Sequence, residues 1–163
     1  MKTIYLIRHA KSDTNFSGQD DKDRSLTEQG YWDAHRIGKL LFEKKQFPQL
    51  MVSSPAIRAV STALILAGEL GYPVERLELN ESLYEMGLEK YIERIQSTDD
   101  GYKSIALFGH NPIISQAGFY LCSKDPIEME AGSVLVFQSD IPRWAFLEQG
   151  SAVLSYTFSP AAR

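Results

Sequence analysis

The chain has 163 residues, 44% hydrophobic and 11% aromatic, which suits one globular domain over residues 1–163 and excludes a disordered chain. A net charge of −4 argues against a nucleic-acid binder, because affinity for a phosphate backbone rests on basic excess. The single cysteine, Cys122, excludes an intrachain disulfide, and no stretch approaches the roughly 20 apolar residues of a membrane span.

The opening MKTIYLIRHA meets Arg8 and His9 after too short an apolar run for a signal-peptide core, so a cytoplasmic location is expected. Within it, residues 3–7 (TIYLI) are β-branched and aromatic, the mark of a short buried strand. Residues 11–25 are polar and turn-rich, an exposed loop whose run Asp20-Asp21-Lys22-Asp23 reads as solvated. From Leu26 to about Lys45, Ala34, Ile37, Leu40, Leu41 and Phe42 fit one helical face, with Thr27 as N-cap. Residues 50–53 (LMVS) read as a second strand. Ser54 then Pro55 predict a helix to about Leu70, ended by Gly71.

Residues 74–79 (VERLEL) alternate as a half-buried strand would. Residues 82–96 read as a helix with Leu83, Met86, Tyr91 and Ile95 inward and Gly87 weakening it. Residues 104–109 (SIALFG) are an apolar strand, and Asn111-Pro112 open another helix reaching about Leu121. Residues 133–138, 143–148 and 152–158 are three further strand candidates with tight turns between them. Alternating strands and helices predict an α/β three-layer sandwich: a mostly parallel central sheet, helices on both faces, and antiparallel edge strands near the C-terminus.

Three polar clusters each follow a strand: Arg8-His9, then Ser53-Ser54-Pro55 with Arg58, then His110-Asn111-Pro112. In open α/β sheets ligands bind beyond the carboxyl ends of the strands, so two histidines and two arginines are expected in one crevice. Guanidinium forks match phosphoryl oxygens in pairs, and a cation on the first turn of a helix, where Arg58 falls, is electrostatically poor unless an anion accompanies it. A neutral imidazole attacks phosphorus without a metal. His35, mid-helix, and Cys122, after an apolar helix, read as structural, and no close-spaced His or Cys group suggests a metal.

LIRHAKSDTN (6–15), DRSLTEQG (23–30), SSPAIRAVSTA (53–63), LNE (79–81) and GHNP (109–112) together resemble the histidine phosphatase superfamily, formerly grouped with phosphoglycerate mutases. The short RHAKS form is similar to its SixA-like phosphohistidine phosphatases. The resemblance implies that His9 accepts the phosphoryl group, that Arg8, Asn15, Arg58 and His110 hold phosphate, and that Glu81 donates the proton. Glu85, one turn on, is an alternative acid. By residue type alone Glu81 reads equally as a solvated charge and Asn15 as a turn former. Ala10 stands where a Gly is common, and Ser25 where a Pro is usual.

The expectation is a metal- and cofactor-independent phosphatase with a phosphohistidine intermediate, acting on phosphohistidine of signalling proteins. The alternatives are a small-molecule phosphomonoesterase of the same mechanism and a phosphoprotein-binding module without turnover. A mutase is disfavoured, because retaining the phosphoryl group needs a closed, water-poor site.

Overall fold

A computed structural model describes residues 1–15, 18–85 and 87–161. Ten regular elements follow in order: β1 (Lys2–Arg8), α1 (Glu28–Glu43), β2 (Leu50–Ser53), α2 (Ile57–Leu70), β3 (Glu78–Leu79), α3 (Leu88–Gln96), β4 (Ser104–Gly109), α4 (Ile113–Cys122), β5 (Val134–Ser139) and β6 (Val153–Phe158). The strands form one six-stranded sheet in the order β3-β2-β4-β1-β5-β6. β3, β2, β4 and β1 run parallel, β5 pairs antiparallel with β1, and β6 pairs antiparallel with β5.

Alternation along β1 explains the layering, because successive side chains of a strand point to opposite faces. Ile4 and Leu6 join a core with Tyr91, Ile92 and Ile95 of α3 and Ile114, Ala117 and Leu121 of α4. Tyr5 and Ile7 join a second core with Ala34, Ile37 and Leu41 of α1 and Ala63, Leu66 and Ala67 of α2. The expected sandwich is the observed one. Among the described residues no helix is long and apolar enough to cross a membrane.

Thr27 caps α1 as expected, its Oγ1 accepting from the Gly30 N–H at 3.0 Å. Gly71 closes α2 in the left-handed conformation, φ 69°. Four expectations need correction. Residues 143–148 are no strand: Trp144–Phe146 form a 3-10 turn, and β5 pairs directly with β6. Trp144 and Leu147 are both buried, a spacing of three, and Trp144 donates its Nε1–H to the Tyr102 carbonyl. The strand expected over 74–79 shrinks to β3 behind a 3-10 turn at Val74–Arg76, with Val74 and Leu79 exposed at the sheet edge.

The helix expected from residue 82 starts only at Leu88, after a 3-10 turn at Glu81–Leu83 and the positive φ of Gly87. Leu83, Tyr91 and Ile95 are buried as expected, and Met86 lies outside the described residues. The Pro-led helices begin later than the cap-then-Pro pattern implies. α2 opens at Ile57 and α4 at Ile113: Ser54 Oγ accepts from the Ala56 N–H and meets His110, while the Asn111 side chain donates to the Met129 carbonyl instead of capping.

Candidate active site

The parallel register sets Arg8 opposite Gly109, so His9 and His110 leave adjacent strands side by side. The His9 N–H donates to the Gly109 carbonyl at 3.2 Å, and the Ser54 N–H to the Phe108 carbonyl at 2.9 Å. β1, β4 and β2 thus deliver all three polar clusters to one rim. The imidazole centroids of His9 and His110 lie 5.2 Å apart at 54°.

His9 Nδ1 sits 2.7 Å from the Ala10 carbonyl oxygen, which can only accept. The ring proton therefore sits on Nδ1, and Nε2 keeps its lone pair. Burial lowers the His9 pKa to about 4; the Ala10 hydrogen bond opposes this, and the charges of Arg58, Arg8 and Arg24 add to the lowering. At neutral pH the ring is uncharged.

His110 is lowered to about 3, by burial first and then by His9 and Arg58. Its Nε2 lies 2.7 Å from Ser54 Oγ, and its backbone N–H donates to Tyr91 Oη at 3.1 Å. Tyr91 in turn donates to the Leu83 carbonyl at 2.9 Å. That hydroxyl fills the space where a Cβ on Gly109 would stand, which is the local reason for a glycine at the end of β4.

The arginines are held from behind. Arg8 Nη1 donates to the Met129 carbonyl at 2.8 Å, which also accepts from Asn111 Nδ2 at 3.0 Å. Gly132, with φ +80°, donates its N–H to the carbonyls of Arg8 and His9. Arg58, 5% exposed, donates Nη1–H to the Asp21 carbonyl at 2.7 Å and Nη2–H to Asp21 Oδ2 at 2.8 Å. Thr62 Oγ1 ties α2 to the loop that follows β1: it donates to the Arg58 carbonyl and accepts from the Ala10 N–H.

Among the described residues three buried side-chain nitrogens have no hydrogen-bond partner: Arg8 Nε, Arg58 Nε and His110 Nδ1. A buried donor without a partner carries a penalty of about 1–3 kcal/mol, so the two arginine N–H groups at one rim call for an acceptor from outside the chain. No group of three or more His, Cys, Asp or Glu side chains suited to a metal ion occurs among the described residues.

The structure brings Arg8, His9, Arg58 and His110 together. Glu81 stands outside them, 66% exposed at its side chain and paired with Lys22 at 2.9 Å. Lys22 lies 4.8 Å from the Tyr84 ring centroid, and Tyr84 meets His110 edge-on at 5.6 Å. Glu85 and Asn15 are both exposed; the Asn15 N–H donates to Asp13 Oδ1. Sequence reasoning missed Asp21, Tyr84 and Tyr91. A run of mixed charge gives no sign that one carboxylate grips an arginine on a distant helix. The anion demanded by an arginine on the first turn of α2 was a usable signal, and Asp21 supplies part of it.

A model of the histidine phosphatase superfamily (branch 1) matches residues 4–100, a span that holds Arg8, His9, Arg58 and Glu81 and stops short of His110. The 2,3-bisphosphoglycerate-dependent phosphoglycerate mutase of Clavibacter michiganensis subsp. michiganensis is 40% identical over 165 residues, covering 88% of this chain and 64% of the mutase. Phosphoglycerate mutase 1 of Saccharomyces cerevisiae is 38% identical over 92 residues, covering 52% of this chain and 36% of the yeast protein. The chain thus spans less than two thirds of both curated relatives. Among solved structures, the protein histidine phosphatase SixA complexed with tungstate shares the fold with TM-score 0.83 and 19% identity, over 97% of each chain.

Proposed function

The chain belongs to the histidine phosphatase superfamily, and we propose that it is a metal-independent phosphatase working through a phosphohistidine on His9, with phosphohistidine of signalling proteins as its substrate. One observation carries the reading: a neutral imidazole with a free Nε2 stands at the rim where Arg8 Nε, Arg58 Nε and His110 Nδ1 lack partners. A tetrahedral phosphoryl group offers oxygens to the two arginine N–H groups, and to His110 Nδ1 in the tautomer that carries its proton there, and a phosphorus atom to Nε2.

In the first step His9 Nε2 attacks phosphorus in line and the bond to the leaving group breaks. In a loose transition state charge spreads over three phosphoryl oxygens, which the arginines and His110 stabilise. A phosphohistidine protonated on its other ring nitrogen departs as neutral imidazole, and an alkoxide leaving group needs a proton from an acid or from water. In the second step water attacks the phosphoryl group on His9, inorganic phosphate leaves, and the imidazole returns to its starting form.

Phosphohistidine as substrate fits the position of the acids. An imidazole leaving group has a pKa near ~6.5 and departs with less protonation than an alkoxide requires. For a harder leaving group Glu81 must part from Lys22 and take up a proton before it can donate one. Only 28 residues separate Glu81 from His110, and α3 and β4 take about half of them, so no inserted domain stands there to cover the mouth. An open mouth admits a side chain of another protein. The fold shared with SixA, whose complex holds the tetrahedral oxyanion tungstate, supports the same reading.

A small-molecule phosphomonoesterase of the same mechanism is the second reading, favoured by the 40% identity to a phosphoglycerate mutase. Rates on phosphohistidine peptides and on a panel of sugar and nucleotide phosphates separate the two. We expect kcat/KM to be highest for the peptides; a sugar or nucleotide phosphate hydrolysed faster overturns the assignment of substrate. His9-dependent release of phosphate from any of them excludes a binding module without turnover.

A further inference from the structure

Arg58 is the more buried of the two arginines at the rim, and both of its hydrogen bonds go to one residue. Two of its three nitrogens are spoken for by one residue: Nη1 by the Asp21 carbonyl and Nη2 by Asp21 Oδ2. Only Nε remains. We infer that Asp21 is a positioning residue for phosphate recognition, gripping the outer edge of the Arg58 guanidinium so that its Nε–H edge faces the bound phosphoryl group. The inference rests on the reading of this rim as a phosphate site and adds to it the residue that aims one of its arginines.

Asp21 is itself held in place. Its Oδ2 also accepts from Tyr84 Oη at 2.8 Å, and its Oδ1 from Arg24 Nε at 3.0 Å. Arg24 reaches on to Ser12 Oγ and the Asp13 carbonyl, and the neighbouring Lys22 pairs with Glu81. The strap at 21–24 is therefore sewn to the body at several points, and Asp21 presents a fixed acceptor edge. Burial works to raise the Asp21 carboxyl, but the hydrogen bonds from Tyr84 and Arg58 hold it down at about 2, so it is ionised at neutral pH. A fixed guanidinium loses less freedom when it meets its anion, and preorganised donors give most of the electrostatic effect in a site of this kind.

The same contact admits an opposite reading, in which the Asp21 carboxylate competes with substrate for Arg58. The two predict opposite signs. Calorimetric titration with orthovanadate and with inorganic phosphate, on the wild-type chain, Asp21→Ala and Asp21→Asn, decides between them. We expect Asp21→Ala to weaken both anions about tenfold, and Asp21→Asn, which keeps an acceptor oxygen without the charge, about threefold. KM should rise in parallel while kcat falls less. The Arg58 Nε–H resonance should shift on adding vanadate to the wild type and should be broadened in Asp21→Ala. Unchanged or tighter binding in either folded variant overturns the inference. If Asp21→Ala does not fold, Asp21→Asn alone decides by the same criterion. A wild-type chain that binds neither anion overturns the phosphate site itself and the role of Asp21 with it.

Discussion

His9 and His110 close neighbouring parallel strands, and the His9 N–H donates to the carbonyl of Gly109, the residue just before His110. The backbone ladder therefore sets the 5.2 Å between the two rings before any side-chain contact does. A slip of one residue between β1 and β4 would turn one imidazole to the opposite face of the sheet. The fold's central strand pair and the chemistry of the site are one construction.

The pH response follows from that burial. In the fold His9 takes a proton near 4 and His110 near 3, against an ordinary value of 6.5. Both are folded-state depressions, so the stability they contribute is fully present above about 6.5. It is lost as pH falls from there through about 4 for His9 and about 3 for His110, because the unfolded chain binds the protons first. Nuclear magnetic resonance of the ring protons, assigned with His9→Asn and His110→Asn, should place both midpoints below pH 5. A midpoint near 6.5 for either ring contradicts the buried, neutral pair.

Arg58→Lys tests whether shape or charge matters at that position. Lysine keeps the charge but cannot donate to Asp21 with two nitrogens while a third faces the phosphate. We expect kcat/KM to fall about a hundredfold, nearly as far as in Arg58→Ala. Steady-state kinetics on a phosphohistidine peptide reads this directly; a lysine variant with near-normal kcat/KM would reduce Arg58 to a diffuse positive charge.

Tyr91 links the core beneath α3 to the site. Tyr91→Phe removes the acceptor of the His110 N–H and the donor to Leu83, and should destabilise the chain by about 1–3 kcal/mol. Gly109→Ala is expected to be worse for activity than for stability, because its methyl group would push the same hydroxyl aside and displace His110. Urea denaturation measures the first effect and kcat the second. Equal kcat in Gly109→Ala and wild type would show that His110 is not held in this way.

Much of this was legible in the residues. The strand runs at 3–7, 50–53 and 104–109 fixed where Arg8, His9, Ser54 and His110 must emerge, because β-branched and apolar runs bounded by polar turns have one reading in a buried sheet. Residues 143–148 misled because Trp-Ala-Phe-Leu is a short apolar run between charged ends, which suits a strand, while the buried Trp144 and Leu147 follow a tighter turn. Asp21 stayed hidden for a different reason: its partner is 37 residues away, and local charge patterning says nothing about long-range pairs. Glu81 illustrates the limit of motif matching, since in the fold it is exposed and paired with Lys22, a partner 59 residues away.

The central claim is covalent, so the most direct measurement is of the bond itself. The wild-type chain, mixed with a phosphohistidine peptide or an aryl phosphate and quenched in base, should carry one phosphoryl group that fragmentation mass spectrometry places on the His9 ring. His9→Ala should show neither that adduct nor turnover. Normal hydrolysis by His9→Ala, or a phosphoryl group trapped on a different residue, would contradict the account.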